Sequence, residues 1–167
     1  MALAVSATTR KPREGEVDGS SYYFLSEEEF AKRVEENAFV EWDGHFGKCY
    51  GTLWSEVTPR LEDGQSVILE IDVNGAANVR NNAPNAVLIF IAPPSLEQLE
   101  ERLRSRGSES EEQIAKRLER VQMELESARS YDEVLVNDDL DAALVKLEGL
   151  IDTYETDERK QHVRDEA

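Results

Sequence analysis

The sequence predicts an α/β domain built on a parallel sheet. Three features point to it. Ser66–Asp72 (SVILEID), Ala86–Ala92 (AVLIFIA) and Glu133–Val136 (EVLV) are apolar runs without the alternation of a half-exposed strand. Continuous apolarity is the pattern of strands covered on both faces. Segments with apolar residues at helical spacing lie between these runs, and strands alternating with helices imply parallel crossovers.

In chain order, Leu3–Ser6 reads as a short buried strand. Thr8–Ser21 is a loop punctuated by Lys11-Pro12 and Asp18-Gly19. Tyr22–Leu25 is an aromatic strand. Ser26 with Glu29 forms a capping box, and Phe30, Val34 and Ala38 continue at helical spacing. Phe39–Trp42 and Lys48–Tyr50 flank Asp43-Gly44-His45-Phe46-Gly47, a hairpin signal. Trp54–Leu61 is helical in pattern, although Pro59 is expected to spoil its second half. After the first two long apolar runs, Leu96, Leu99 and Leu103 form a stripe behind the cap candidate Ser95. A second capping box, Ser110 with Gln113, opens a helix carrying Ile114, Leu118, Val121 and Leu125. Leu140, Leu144, Leu147, Ile151 and Tyr154 mark the last helix, and a charged tail runs from Glu155.

Charge and composition exclude several classes. Acids number 36 against 19 bases, a formal charge of −17, so the whole-molecule field opposes nonspecific binding to nucleic acid or to an anionic membrane. A local basic pocket is still compatible with it. The single Cys49 excludes an internal disulfide and a cysteine-rich zinc site. His45 and His162 are far apart, so no metal centre is expected. No apolar run approaches the roughly 20 residues of a membrane span, and the start has no basic n-region. A cytoplasmic protein, monomeric or homodimeric, is the expectation.

The densest chemistry lies in Thr8–Leu25, TTRKPREGEVDGSSYYFL. Arg10 and Arg13 sit near a proline and a glycine, with the hydroxyls of Ser6, Thr8 and Thr9 upstream and Tyr22 downstream. Planar guanidinium forks and hydroxyls are what a phosphate dianion needs. Read on composition alone, the same stretch is a surface loop whose arginines pair with Glu14 and Glu16. Elsewhere too the residues allow two readings. Glu41 alternates with Val40 and Trp42 as a hairpin surface acid would. Tyr22 and Tyr50 suit sheet packing, and Cys49 suits a small filler. Asp72 stands at the carboxyl end of a strand, where α/β folds bind ligands. Glu70 and Asp72, two apart, are expected on one face. The arginines of RLRSRGSESEEQIAKRL suit a solvated helix face with i,i+4 pairs.

Taken together, the Thr-Thr-Arg run, Arg13, Glu16, Gly19, Tyr22 and Phe24 resemble the signature of guanylate kinases. The similarity continues through FVEWDGHFGKCYGT, VILEIDVNGAANV, FIAPPS, RLRSRGSESEEQIAKRL and VNDDL, over residues 3–152. The resemblance implies transfer of the ATP γ-phosphoryl to GMP, with Mg2+. It implies that Ser6, Arg10, Arg13, Tyr22 and Tyr50 hold the GMP phosphate and that Glu41, Thr52 and Asp72 read the guanine. Arg102, Arg106 and Arg117 would be lid arginines over the ATP phosphates, and Asn137 an adenine-side contact. Glu70 stands where many relatives carry Asp; the charge is kept. The implied fold is the parallel-sheet nucleoside-monophosphate-kinase type, with residues 1–10 and 66–154 as core, a lid at about 102–117, a mixed-β GMP-binding insertion at 11–65 and a charged tail at 155–167. No G-x-x-x-x-G-K-[ST] phosphate loop occurs in the sequence. The resemblance therefore implies an N-terminally truncated form without the first strand, loop and helix, about 30 residues, and poor ATP binding and turnover. A non-catalytic guanylate-kinase-like module that binds phosphorylated peptides is the alternative. The retained Glu41, Asp72 and arginines weigh against it.

Overall fold

The computed structural model describes residues 1–45, 47–106 and 110–156. Gly107 and the end of the tail lie outside them, as do the side chains of His45 and Arg106. The chain divides into two compact units, Met1–Ala86 and Val87–Asp157.

The first unit opens with β1 (Ala2–Leu3) and β2 (Ala7–Thr8), two short strands where one strand over Leu3–Ser6 was expected. β3 (Tyr23–Phe24) follows, then helix α1 (Glu27–Glu35). Its capping box is formed as the sequence predicts, with the Glu29 N–H donating to Ser26 Oγ (3.1 Å) and the Ser26 N–H to Glu29 Oε2 (2.9 Å). Glu36 is the C-cap, and Asn37 just beyond it takes a φ of +52°, the left-handed conformation that closes a helix. β4 (Phe39–His45) and β5 (Lys48–Leu53) form the hairpin, and α2 (Trp54–Glu62) leads on from it. Pro59 does not stop α2. Val57 is buried, and Arg60 is clamped to Glu56 one turn back (2.7 Å), so burial and an ion pair within the helix carry it past the missing N–H. β6 (Val67–Ile68) and α3 (Val73–Asn82) complete the unit.

β1 pairs parallel with β6, while the other strands form a mixed sheet in the order β3-β2-β5-β4. The ladder register divides this mixed sheet into two faces. Ala7, Tyr23, Cys49, Gly51 and Leu53 lie on one; Thr8, Phe24, Tyr50 and Thr52 lie on the other. The first face packs on α1. Ala7, Phe30, Phe39 and Leu53 are its buried core, with Phe30 stacked on Phe39 at 4.5 Å between centroids. Gly51 admits no side chain there: a Cβ would meet Glu41 O at 2.7 Å. The second face belongs to the candidate site.

The second unit contains β7 (Ile89–Ala92), α4 (Leu96–Arg106), α5 (Glu111–Ser127), β8 (Glu133–Val136) and α6 (Leu140–Thr156). β7 and β8 pair parallel. Ser95 and Ser110 cap α4 and α5 as their motifs predict, and Asp139 caps α6. The apolar runs are less covered than their composition implies. Ile68, Ile91, Val134 and Val136 are all exposed. The long run over Ser66–Asp72 pairs at only two residues, because β1 offers only two. Leu140 and Leu144 face solvent, and α6 instead buries Ala143. Among the described residues, no helix is long and apolar enough to cross a membrane.

Candidate active site

Local sequence explains how Arg10 is held. Pro12 and Gly15 turn the loop back on itself: the Glu16 N–H donates to Arg13 O (3.1 Å), and Gly15 takes a φ of +83° that other residues resist. The turn returns Glu16 to Arg10. Arg10 Nη1 and Nη2 donate to Glu16 Oε2 and Oε1 at 2.9 and 2.8 Å, and Nη1 also donates to Lys11 O at 2.8 Å. Three of five guanidinium donors are thereby used. The Tyr50 side chain is a further hydrogen-bond partner of the guanidinium, so the fork's remaining donors and a phenol stand together, a combination that suits an oxyanion. The group lies over Tyr22 at 5.2 Å and Phe24 at 5.8 Å, and Tyr22 meets Tyr50 edge-on at 6.2 Å.

Arg10 pairs with Glu16, as the surface-loop reading expected of the arginines, but Arg13 does not use its side chain this way. Its backbone N–H donates to Glu16 Oε2 (2.6 Å), and the residue is exposed. Thr8 and Thr9 are buried rather than aimed at a ligand. Thr8 Oγ1 donates to Cys49 O (2.9 Å) and accepts from the Arg10 N–H (3.1 Å), while Thr9 Oγ1 accepts from the Cys49 N–H (2.9 Å). They build the strand end from which Arg10 projects. Ser6 uses its carbonyl to accept from the Tyr23 N–H.

The hydrogen bond to Arg10, with help from the Arg13 N–H, pulls the Glu16 carboxyl from its ordinary 4.5 down to about 2. The same pair raises the Arg10 guanidinium further above its already high range. A depressed carboxyl stabilises the fold above the unfolded pKa, and that contribution is lost as pH falls from about 4.5 toward 2. In thermal melts between pH 2 and 5, Glu16→Gln is expected to flatten this part of the acid limb. A limb identical to the parent's would exclude the pair as its source.

The second group of side chains is buried. Glu41 is 5% exposed and Thr52 1%, and Thr52 Oγ1 donates to Glu41 Oε1 at 2.7 Å. A surface acid is what strand alternation expects at Glu41; a β-bulge overrides it. Phe39 pairs with Leu53 and Glu41 with Thr52, so Val40 is a surplus residue and the side chains beyond it change faces. Glu41 consequently shares the second face with Thr52 and Tyr50. Tyr50 and Thr52, two apart on β5, stand about 7 Å from each other along the strand. Burial pushes the Glu41 carboxyl up, against the pull of Thr52, with Asp72 and Asp43 adding repulsion. Its Oε2 lies against Gly75, where a Cβ would approach to 2.8 Å. Asp72 does not end a strand, as was expected. β6 stops at Ile68, and Asp72 caps α3, accepting from the Gly75 N–H at 2.9 Å. Glu70 lies exposed in the same connection.

In the second unit, Arg102 and Arg117 line one cavity of 290 Å³ with Phe90, Pro93, Leu99 and Glu124. Arg102 donates from Nη1 to Asn137 O (2.9 Å) and from Nη2 to Asp138 O (2.8 Å), which ties α4 to the loop after β8.

Sequence reasoning passed over two features. Glu56, buried on α2, accepts from the Val5 N–H (3.2 Å) and Tyr23 Oη–H (2.8 Å) beside its Arg60 contact. Asn74, Asn78 and Asn82 all reach β4 from α3. Their i, i+4, i+8 spacing was the available signal; Glu56 had none, since an acid in the first turn of a helix is ordinary.

Comparison with known proteins places the chain in one family. The guanylate kinase family model matches residues 1–154. A guanylate kinase from Synechococcus sp. (strain CC9311) is 51% identical over 146 residues, 87% of this chain and 77% of that protein. One from Caldanaerobacter subterraneus subsp. tengcongensis is 48% identical over 151 residues, 90% of this chain and 73% of that protein. The crystal structure of guanylate kinase from Anaplasma phagocytophilum superposes with a TM-score of 0.77 at 29% identity, covering 95% of this chain and 78% of that one. An arginine fork beside two tyrosines, a buried acid on a bulged hairpin, and a family match running nearly end to end agree: the chain belongs to the guanylate kinase family.

Proposed function

We propose that the chain binds GMP on the second face of its mixed sheet, as the acceptor of the ATP γ-phosphoryl in the family reaction that gives GDP and ADP. The supporting observation is the buried Glu41–Thr52 pair. Guanine offers N1–H and the 2-amino group as adjacent donors, and an ionised carboxylate accepts from both. Adenine offers an acceptor at N1 and would leave that carboxylate unpaired, which is costly where water is excluded. Asp72 is the second acid on the base side. Arg10, with Tyr22 and Tyr50, takes the phosphate, and Arg13 and Ser6 are the additional donors. A peptide-binding module would have no use for the buried acid.

The family uses ATP and typically Mg2+. Among the described residues no three acid, imidazole or thiol groups gather as a metal cage. That fits Mg2+ carried on nucleotide phosphates, which needs only one or two protein carboxylates; Glu70 and Asp72 are the acids that would supply them. Bound there, the metal would neutralise phosphate charge. Arg117, with Arg106, is assigned to the transferring phosphoryl group, where guanidinium charge counts most. Arg102 holds the loop at Asn137, the adenine-side contact.

Calorimetric titration of the chain with GMP and with AMP tests the base reading. GMP is expected to bind about 100-fold tighter or more. Equal affinities would remove Glu41 and Asp72 from the role.

A further inference from the structure

β4 is an edge strand, and its outward carbonyls would ordinarily face water. Here a helix takes the place of the next strand. Asn82 Nδ2 donates to Val40 O at 2.8 Å, Asn78 Nδ2 to Trp42 O at 3.0 Å, and Asn74 Nδ2 to Asp43 Oδ2 at 2.8 Å. One helical face thus meets β4 at 40, 42 and 43, and Gly75 meets the Glu41 carboxylate between them. The two clasped carbonyls belong to the residues on either side of Glu41.

We infer that Asn78 and Asn82 are positioning residues for purine recognition. They clamp the bulged segment of β4 to α3, and so fix the Glu41 carboxylate relative to Asp72 at the start of the same helix. A bulge leaves a strand locally short of ladder bonds and free to change its twist. A carboxylate that must accept two hydrogen bonds from one base edge tolerates little displacement. The asparagines supply what the bulge takes away. This inference rests on Glu41 reading the base.

Alanine at both positions separates positioning from mere support. It removes both amide bonds, but the Asn78 bond is exposed, the Asn82 bond only part-buried, and alanine is the better helix former, so the melting temperature is expected to fall no further than in Val57→Ala. Calorimetry with GMP and with IMP, which lacks the 2-amino donor, reads the position of the carboxylate. In N78A/N82A, GMP affinity is expected to fall about tenfold and IMP affinity less, so the GMP-over-IMP ratio drops. Val57→Ala, a buried change on α2, is expected to lower the melting temperature and leave the ratio intact. Glu41→Gln is expected to flatten the ratio. If Glu41→Gln flattens it and N78A/N82A does not, or if Val57→Ala lowers it equally, the asparagines are structural only and the inference is overturned while the base reading stands. If Glu41→Gln leaves the ratio unchanged, the base reading fails and takes this inference with it.

Discussion

Replacing Glu56 with alanine is expected to cost about 3 kcal/mol of stability in the first unit. The carboxylate side chain is 5% exposed and Arg60 33%. The guanidinium can therefore turn to water, which places the cost at the low end for a broken buried pair. The Tyr23 hydroxyl and the Val5 N–H cannot do so as readily. Their shared acceptor joins α2 to β3 and to the link between β1 and β2. Both tryptophans, Trp42 and Trp54, lie in this unit, so their fluorescence in a urea titration reports it selectively. At a typical slope of about 2 kcal/mol/M, the midpoint should fall by about 1.5 M. Tyr23→Phe, which deletes one of the three bonds, should cost about 1 kcal/mol. A shift below 0.3 M or so for the alanine variant would mean that the buried acid is stabilised no better than water could stabilise it.

Glu41→Gln is expected to move function and stability in opposite directions. An amide accepts from one guanine donor and presents its own N–H₂ to the other, so GMP affinity should fall about 10–100-fold. Stability should rise. Burial raises the Glu41 carboxyl above its ordinary 4.5, so the folded state binds the proton more tightly than the unfolded one. The parent accordingly loses stability as pH climbs from about 4.5 through the raised folded value. The glutamine variant escapes this loss, and its advantage in melting temperature should open over that interval and then hold constant. GMP binding needs the ionised acid, so the parent's affinity should decline on acidification more steeply than the variant's, in which only protonation of the GMP phosphate remains. A variant that is both weaker-binding and less stable at neutral pH would show that Glu41 is a packing residue.

The helices were legible because their signals are local. The capping boxes at Ser26 and Ser110 lie within four residues of the bonds they make. The hairpin was legible for the same reason, and the Thr-Thr-Arg loop opened a family resemblance that the later stretches continued over residues 3–152. Strand extents were not, since a strand lasts only as long as its partner does. Composition marks Ser66–Asp72 as one apolar run ending in acids, but only Val67 and Ile68 have residues opposite them. The roles of Thr8 and Thr9 were obscured differently. A hydroxyl next to an arginine resembles an anion donor, and only the register of β2 against β5 shows that Cys49 takes both. Glu41 was the hardest, because alternation assumes a regular ladder and no short motif announces the bulge at Val40.

That surplus residue also defines a folding hazard. If β4 zipped onto β5 from Phe39 without it, every later residue would change sides. Glu41 and Asp43 would then be driven among Phe30 and Leu53, and Trp42 would turn to the face of Tyr50 and Thr52. This slipped hairpin has the more regular hydrogen bonding of the two, so backbone energetics alone do not reject it. Two acids forced into an aromatic cluster do, provided they are ionised. The charges of Glu41 and Asp43 thus steer the nascent hairpin away from its nearest misfolded competitor, and strong acid is the condition in which that protection lapses.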